Sequence, residues 1–375
     1  MIRRFSQRAL LLVSLALGGA CSGSSDTNGD AGPPDAGTVK PTPAPEGKPW
    51  DTLAEWHLFT DDHEQTPAEG VIPYDVVAPL FSDYTEKHRF LYVPPGKKIG
   101  YRDTDRWELP VGAILVKTFA YPIDERDAKK GLRLLETRLL VRESTGWIPH
   151  TYEWDAEQKG AVREVAGDTI DVSWIDATGA TRTNHYSVPN TNVCLECHGK
   201  VGMTGSLGGR TRQWNRDHDY GKGPENQIDH LASLGLLDTT PPAVAARQTL
   251  VDPFGSASPS DRGRSYLDAN CSHCHGVVGL AKGTAFWLDW DHTDPVKGDP
   301  SDYGVCKVPA SAGGATCGLA FDVVPGHSEL SIVPCRAGTL ESKIAMPPVG
   351  HNLVHDEGVA LLKTWIDAMP EKTCQ

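Results

Sequence analysis

The sequence predicts a multidomain chain, with an all-β sandwich over residues 50–190 followed by mostly α segments over 191–375. Three observations carry that reading. Short runs rich in β-branched and aromatic residues, separated by Gly-containing turns, fill the first half. Two copies of one five-residue pattern, Cys194-Leu195-Glu196-Cys197-His198 and Cys271-Ser272-His273-Cys274-His275, sit in the second. Two helical patterns flank the second copy, and the later of them is amphipathic.

The first twenty residues read as an export signal. Arg3, Arg4 and Arg8 precede an apolar run from Ala9 to Leu17, then Gly18, Gly19, Ala20 and Cys21. That run is too short for a permanent membrane span. A cysteine after Leu17-Gly18-Gly19-Ala20 matches a lipoprotein signal, with Cys21 as the lipid-bearing residue, except that the usual Leu lies one position further back. Ordinary cleavage near Ala20 is the alternative, and both place the chain in an exported compartment. Ser22 rather than Asp after Cys21 leans towards the outer membrane of a Gram-negative cell over inner-membrane retention. Residues 21–49 are Gly, Ser, Asp, Thr and Pro with few bulky apolar side chains, a composition expected to form a disordered tether.

Within 50–190, the strand-like runs are Arg89 to Val93, Ala113 to Tyr121, Leu132 to Val141, Trp147 to Trp154 and Thr169 to Ile175. The pair Leu132 to Val141 and Trp147 to Trp154, joined by Arg142-Glu143-Ser144-Thr145-Gly146, is the clearest hairpin. Trp107, Trp147, Trp154 and Trp174 offer either a core or a platform for carbohydrate or peptide; aromatics on strands favour the core.

Residues 191–257 form the first motif-bearing segment and 258–375 the second. In Cys-x-x-Cys-His, two thiols on one turn can add to the two vinyl groups of a haem while the following histidine ligates the iron from the same side. With 9 Cys and 14 His in 375 residues, chance supplies on the order of 0.01 such patterns. A zinc knuckle would need a paired second ligand set, which neither copy has. The expected cofactor is therefore two covalently bound haem c groups, held by Cys194, Cys197, Cys271 and Cys274, with His198 and His275 as iron ligands.

Around the second copy, Ser260 is expected to cap a helix running through Arg264, Tyr266 and Leu267 into Cys271. His355 to Ala368 carries Val359, Leu362 and Ile366 on one stripe. Such a pair of helices suggests a small cytochrome c-like domain in which they cross, with Tyr266 and Trp365 at the contact. Met346, in Met346-Pro347-Pro348, is the expected second ligand of that iron because its thioether suits ferrous iron; His327, His351 and His355 are alternatives. For the first iron, Met203 is too close in sequence to His198 for the chain to wrap round to the opposite face; His218 and His230 are the better-separated candidates, His185 is a further one, and an open site is the remaining possibility. Glu225 to Leu237 reads as a helix with Ile228 and Leu231 inward.

Cys306, Cys317, Cys335 and Cys374 remain, an even number in an oxidising location, and predict two disulfides. A local Cys306–Cys317 bridge with Cys335–Cys374 fits the loop between them, and the other two connectivities stay open. The net charge of -13 disfavours nucleic acid as a partner. It suits a basic redox partner, and equally suits simple solubility.

The chain resembles a family of poorly characterised, exported dihaem c-type cytochromes of proteobacteria. The likeness rests on Ala78-Pro79-Leu80-Phe81-Ser82-Asp83-Tyr84, Glu136-Thr137-Arg138-Leu139-Leu140, Pro189-Asn190 before the first motif, Thr211-Arg212-Gln213-Trp214-Asn215-Arg216 and Asn226-Gln227. It continues through Tyr266-Leu267-Asp268-Ala269-Asn270-Cys271, Val324-Pro325-Gly326 and Met346-Pro347-Pro348. It implies a β domain upstream of two haem sites and no established substrate. The expected function is electron transfer between periplasmic or outer-membrane partners. Two rival readings are a haem enzyme with an open first iron, peroxidase- or oxidase-like, and a β-domain binding module for polysaccharide or a partner protein.

Overall fold

The computed structural model describes residues 39–198, 205, 209–310 and 316–375, without the side chains of 195–197. The signal over 1–20, Cys21 and Met203 lie outside the described residues. So do residues 21–38 of the expected tether; Val39 and Ala44, inside its other end, pack against a buried cluster that includes Leu53, Trp56 and Tyr152.

Alternating apolar residues make a six-stranded antiparallel sheet whose strands follow one another in chain order. A short pair, β1 (Phe59–Asp61) and β2 (Thr66–Pro67), precedes it. The sheet strands are β3 (Val71–Pro73), β4 (Glu86–Tyr92), β5 (Ile114–Pro122), β6 (Leu132–Glu143), β7 (Gly146–Trp154) and β8 (Ala161–Glu164). The β6–β7 hairpin falls where the sequence places it, with Glu143 opposite Gly146. A hairpin of β9 (Asp168–Ile175) and β10 (Thr181–Val188) follows.

Because side chains alternate, each central strand serves two faces. On one, Phe90, Ile114, Val116, Leu139 and Tyr152 join a continuous apolar core. The opposite face carries two apolar patches. Leu91, Leu115, Leu140 and Trp147 belong to one, while Phe119, Tyr121 and Leu135 meet Val172, Trp174 and Tyr186 of the β9–β10 hairpin in the other. Trp107, Trp147, Trp154 and Trp174 are all buried, so these aromatics are core and offer no ligand platform.

The second half contains α1 (Thr191–His198), α2 (Thr211–Trp214), the small hairpin of β11 (Asp217–Asp219) and β12 (Pro224–Asn226), and α3 (Gln227–Ser233). It ends with α4 (Pro259–Asn270), α5 (Ile332–Ala337) and α6 (Asp356–Asp367). This corrects the expected fold class. The β-rich N-terminal half is present, but its second layer is a hairpin and parts of the second half, and mostly α, cytochrome c-like domains are not evident. The physical reason is local. Gly and Pro punctuate 271–330, so helices there are single turns. α2 and α3 bury Trp214, Ile228 and Leu231 against the sheet patch of Leu91 and Leu115 rather than against other helices.

α4 and α6 do cross. Tyr266, Leu267, Leu361, Leu362, Trp365 and Ile366 form their core, and Gly263 and Gly358 supply the close approach, because a Cβ at either would collide with Trp365 or Tyr266. The α4 cap is Ser258, whose hydroxyl accepts from the Asp261 N–H at 3.1 Å, instead of the expected Ser260. The disulfides are Cys306–Cys374 and Cys317–Cys335. The local Cys306–Cys317 pairing is thereby corrected: the C-terminal tail returns past Gly326, where it packs Glu371, and delivers Cys374 to Cys306.

Candidate functional site

Asn190 starts α1: its side-chain oxygen accepts from Val193 N–H at 3.0 Å. Positions 194, 197 and 198 then share one face of the last turn. The helix packs beside β7. Cys194 is buried, and the His198 ring places Nδ1 3.2 Å from the Gly205 carbonyl. Burial pushes the His198 imidazole down to about 4, with Lys117, Arg138 and His273 adding to the effect against the Gly205 carbonyl. It is therefore a neutral ring at pH 7, oriented through one nitrogen, which is the state a metal-ligating imidazole needs.

The second motif is delivered by α4. Cys271 N–H donates to the Leu267 carbonyl at 2.9 Å, and the Cys274 and His275 amides close on the Cys271 carbonyl at 3.1 and 2.9 Å. The three donors of the motif are thus gathered on one turn. His275 lies edge-on to Phe286, ring centres 5.1 Å apart. Burial, then Arg336, pushes His275 down to about 4, and its buried Nδ1 has no hydrogen-bond partner. Burial also pushes the Cys271 thiol up to about 12. A dithiol oxidoreductase requires the opposite shift, towards thiolate, so thiol–disulfide chemistry at this motif is disfavoured.

His273 is near enough to both His198 and His275 to oppose their protonation. The two motifs are therefore neighbours in space. Two anchors hold this arrangement. Asp268 on α4 receives the Trp290 amide at 2.9 Å and sits 3.6 Å from Arg212, next to α2's Trp214. Asn270, just before Cys271, accepts from Phe81 N–H at 2.7 Å, while Ala78 exchanges two bonds with Gln213.

Met346 is half-buried and its amide donates to the Arg336 carbonyl at 3.0 Å. Arg336 is also the leading charge acting on His275. Of the alternatives, His327 is paired with Glu329 at 3.2 Å, and His355 meets Tyr266 Oη at 3.0 Å and stacks on Phe81. His351 differs: both ring nitrogens are buried without a partner. The candidates for the first iron are engaged elsewhere. His218 and His230 both pack on Tyr220, His230 is bonded to Glu225 at 2.9 Å, and His185 is an exposed partner of Asp171.

Sequence reasoning missed a charged band on the sheet. Arg89, Lys117 and Arg138 stand directly opposite one another in β4, β5 and β6, between the two apolar patches of that face. The available signal was a lone Lys in the apolar run of β5 and charges two apart in β6.

Half-buried His150 and His355 make acid stability a test of this packing. Burial pushes both down to about 4, as it does His198 and His275, whereas an unfolded histidine takes its proton near about 6.5. Their contribution is complete above the unfolded value and is lost as pH falls towards 4. The urea midpoint is expected to drop over that window, and less steeply in His150→Leu, where one of these rings is gone.

No family model, no curated protein and no solved structure matches the chain. The resemblance to exported dihaem c-type cytochromes is corrected accordingly. Nothing matched supports it, the chain is mostly β, and among the described residues no three His, Cys, Asp or Glu side chains form a group that could hold a metal ion. The labels cytochrome, haem and metal-binding protein fall with that resemblance as matters of family. The two disulfides are compatible with an exported protein, and no described helix is long and apolar enough to cross a membrane.

Proposed function

We propose that each Cys-x-x-Cys-His turn attaches a haem covalently and that the chain passes electrons between redox partner proteins in an exported compartment. The proposal rests on the chemistry of the motifs, not on kinship. The observation that carries it is that each motif folds as a single turn closed by its histidine: the His275 and Cys274 amides both meet the Cys271 carbonyl, and His198 ends α1 with its ring held at the Gly205 carbonyl.

The donor sets fit the group. A haem c takes two thiols and one imidazole from such a turn, fewer metal ligands than a protein-only ion site. Cys194, Cys197 and His198 would hold the first and Cys271, Cys274 and His275 the second, with Met346 closing the second iron. When bound, the haems supply one-electron couples. The chain itself orients His198 through the Gly205 carbonyl, keeps both rings unprotonated by burial, and leaves Val277, Val278 and Leu280 exposed directly after His275. That apolar edge suits a transient protein contact. On the same reading Cys21 carries a lipid, and the partners lie in the periplasm or at the outer membrane of a Gram-negative cell; nucleic acid is not among them.

A second reading makes the first site a catalyst for peroxide or an organic substrate. What favours it is that His185, His218 and His230, the histidines expected for the far side of that iron, are already engaged. One experiment addresses both. Protein matured with the haem-attachment machinery is expected to retain two haems per chain after acid extraction, and one after Cys271→Ala/Cys274→Ala. Retention of none overturns the proposal. Reduced spectra unchanged by carbon monoxide support two closed irons and electron transfer; a shift in one of two supports the catalytic reading.

A further inference from the structure

The charged band on the sheet has more cations than its own carboxylates serve. Lys87 and Arg89 on β4, Lys117 on β5 and Arg138 on β6 share one face. Arg89 pairs with Asp75 at 2.8 Å, a carboxylate also bound by Arg216, and Arg138 pairs with Glu136 at 2.5 Å. Lys87 donates only to the Thr85 carbonyl, at 2.9 Å. Lys117 lies 4.7 Å from the Phe119 ring centre, and the carboxylate that acts on it, Glu136, is already paired with Arg138. Like charges placed directly opposite on neighbouring strands destabilise a sheet.

These side chains are hemmed in without being sealed. Arg138 keeps 32% of its side-chain surface open, and Lys87 and Lys117 are half-buried. Burial is the leading cause that pushes Lys87 down to about 7 and Lys117 well below its ordinary value, with the neighbouring cations adding to it and Asp83, Asp75 and Glu136 opposing it. The first motif lies close by: α1, which carries Cys194 and His198, packs beside β7, the strand next to β6 and its Arg138.

We propose that this band is a carboxylate seat, and that it receives the two propionate side chains of the haem attached at Cys194 and Cys197. The inference rests on the haem reading above and assigns the β-sheet a role in it. Two half-buried lysines without a salt bridge of their own among the described residues match two carboxylates, and a charge-assisted pair in partly buried surroundings is stronger than one in water. The band would then set the potential of that haem, because positive charge beside an iron disfavours its oxidised, more positive form.

The test is Lys117→Met, with Lys87→Met as a second variant should the first fail to fold and exposed Lys129→Gln as control. In matured protein, both Met variants are expected to keep two haems and to shift the midpoint potential of one haem to more negative values, the other staying put. Two haems with both potentials unchanged overturn the seat and leave the haem reading standing. No covalent haem in the wild type overturns that reading itself. In unloaded chain, Lys117→Met is expected to raise the melting temperature by removing an unpaired charge. Stabilisation of the unloaded wild type by succinate, lost in Lys117→Met, with no change of potential in the loaded chain, would assign the seat to a free dicarboxylate and overturn the haem assignment.

Discussion

Trp365→Ala is expected to destabilise the chain by about 3–5 kcal/mol, the usual cost of truncating a buried large aromatic. Trp365 is 3% exposed and lies over Gly263, where α4 and α6 touch. Its ring also faces Tyr303, with centres 6.2 Å apart. Truncation leaves a void that a backbone–ring contact cannot refill by side-chain rearrangement, since Gly263 has no side chain to move. The complementary change, Gly263→Ala, is expected to cost about 1–3 kcal/mol by overpacking. Guanidinium unfolding of both variants checks this. Equal, small effects would mean that the helices do not cross at these residues. Because α4 ends at Cys271, both variants are also expected to lower haem retention at the second motif before they affect the first.

That crossing was legible in the sequence, with Tyr266 and Trp365 named for it, through the helix pair expected of a cytochrome c-like domain; the stripe of Val359, Leu362 and Ile366 gave only part of the buried face, which also holds Leu361 and Trp365 while Val359 is half-buried. The glycine partners were not legible, since a glycine announces space without saying what fills it. The β6–β7 hairpin was legible more directly: period-two patterning on both sides of a short turn leaves one register that buries Leu139 and Tyr152 together. The cap of α4 was misplaced by two residues although Pro259, at the first helical position, pointed to Ser258. The two helical patterns near the second motif say nothing about 271–330, where Gly and Pro keep the described chain in turns and single-turn helices, so the second half is not mostly α. Disulfide connectivity depends on where the C-terminal tail returns, and spacing alone does not encode that. At the candidate site the cysteines and histidines are explicit in the motif. The charged band is only a set of odd charges until strand register aligns them.

Glu136→Gln is expected to cost about 3–5 kcal/mol in unloaded chain, as for breaking a buried ion pair from one side. Glu136 is fully buried, accepts two bonds from Arg138 at 2.8 and 2.5 Å and a third from Tyr186 Oη at 2.5 Å. The amide keeps the shape but not the charge, so Arg138 is left facing Lys117 and, beyond it, Arg89 with no carboxylate of its own. The amide must also present a donor where the carboxylate only accepted. The cost therefore depends on the rest of the band, which gives the prediction its second part. Lys117→Met in the Glu136→Gln background is expected to recover part of the loss, and the two changes are expected to be non-additive because they share Arg138 as a neighbour. Urea unfolding of the wild type, the two single variants and the double variant measures that coupling. Additive losses would mean that Glu136 acts through Tyr186 and packing alone. A recovery confined to the double variant would show that the sheet tolerates Lys117 opposite Arg138 only while Glu136 faces Arg138.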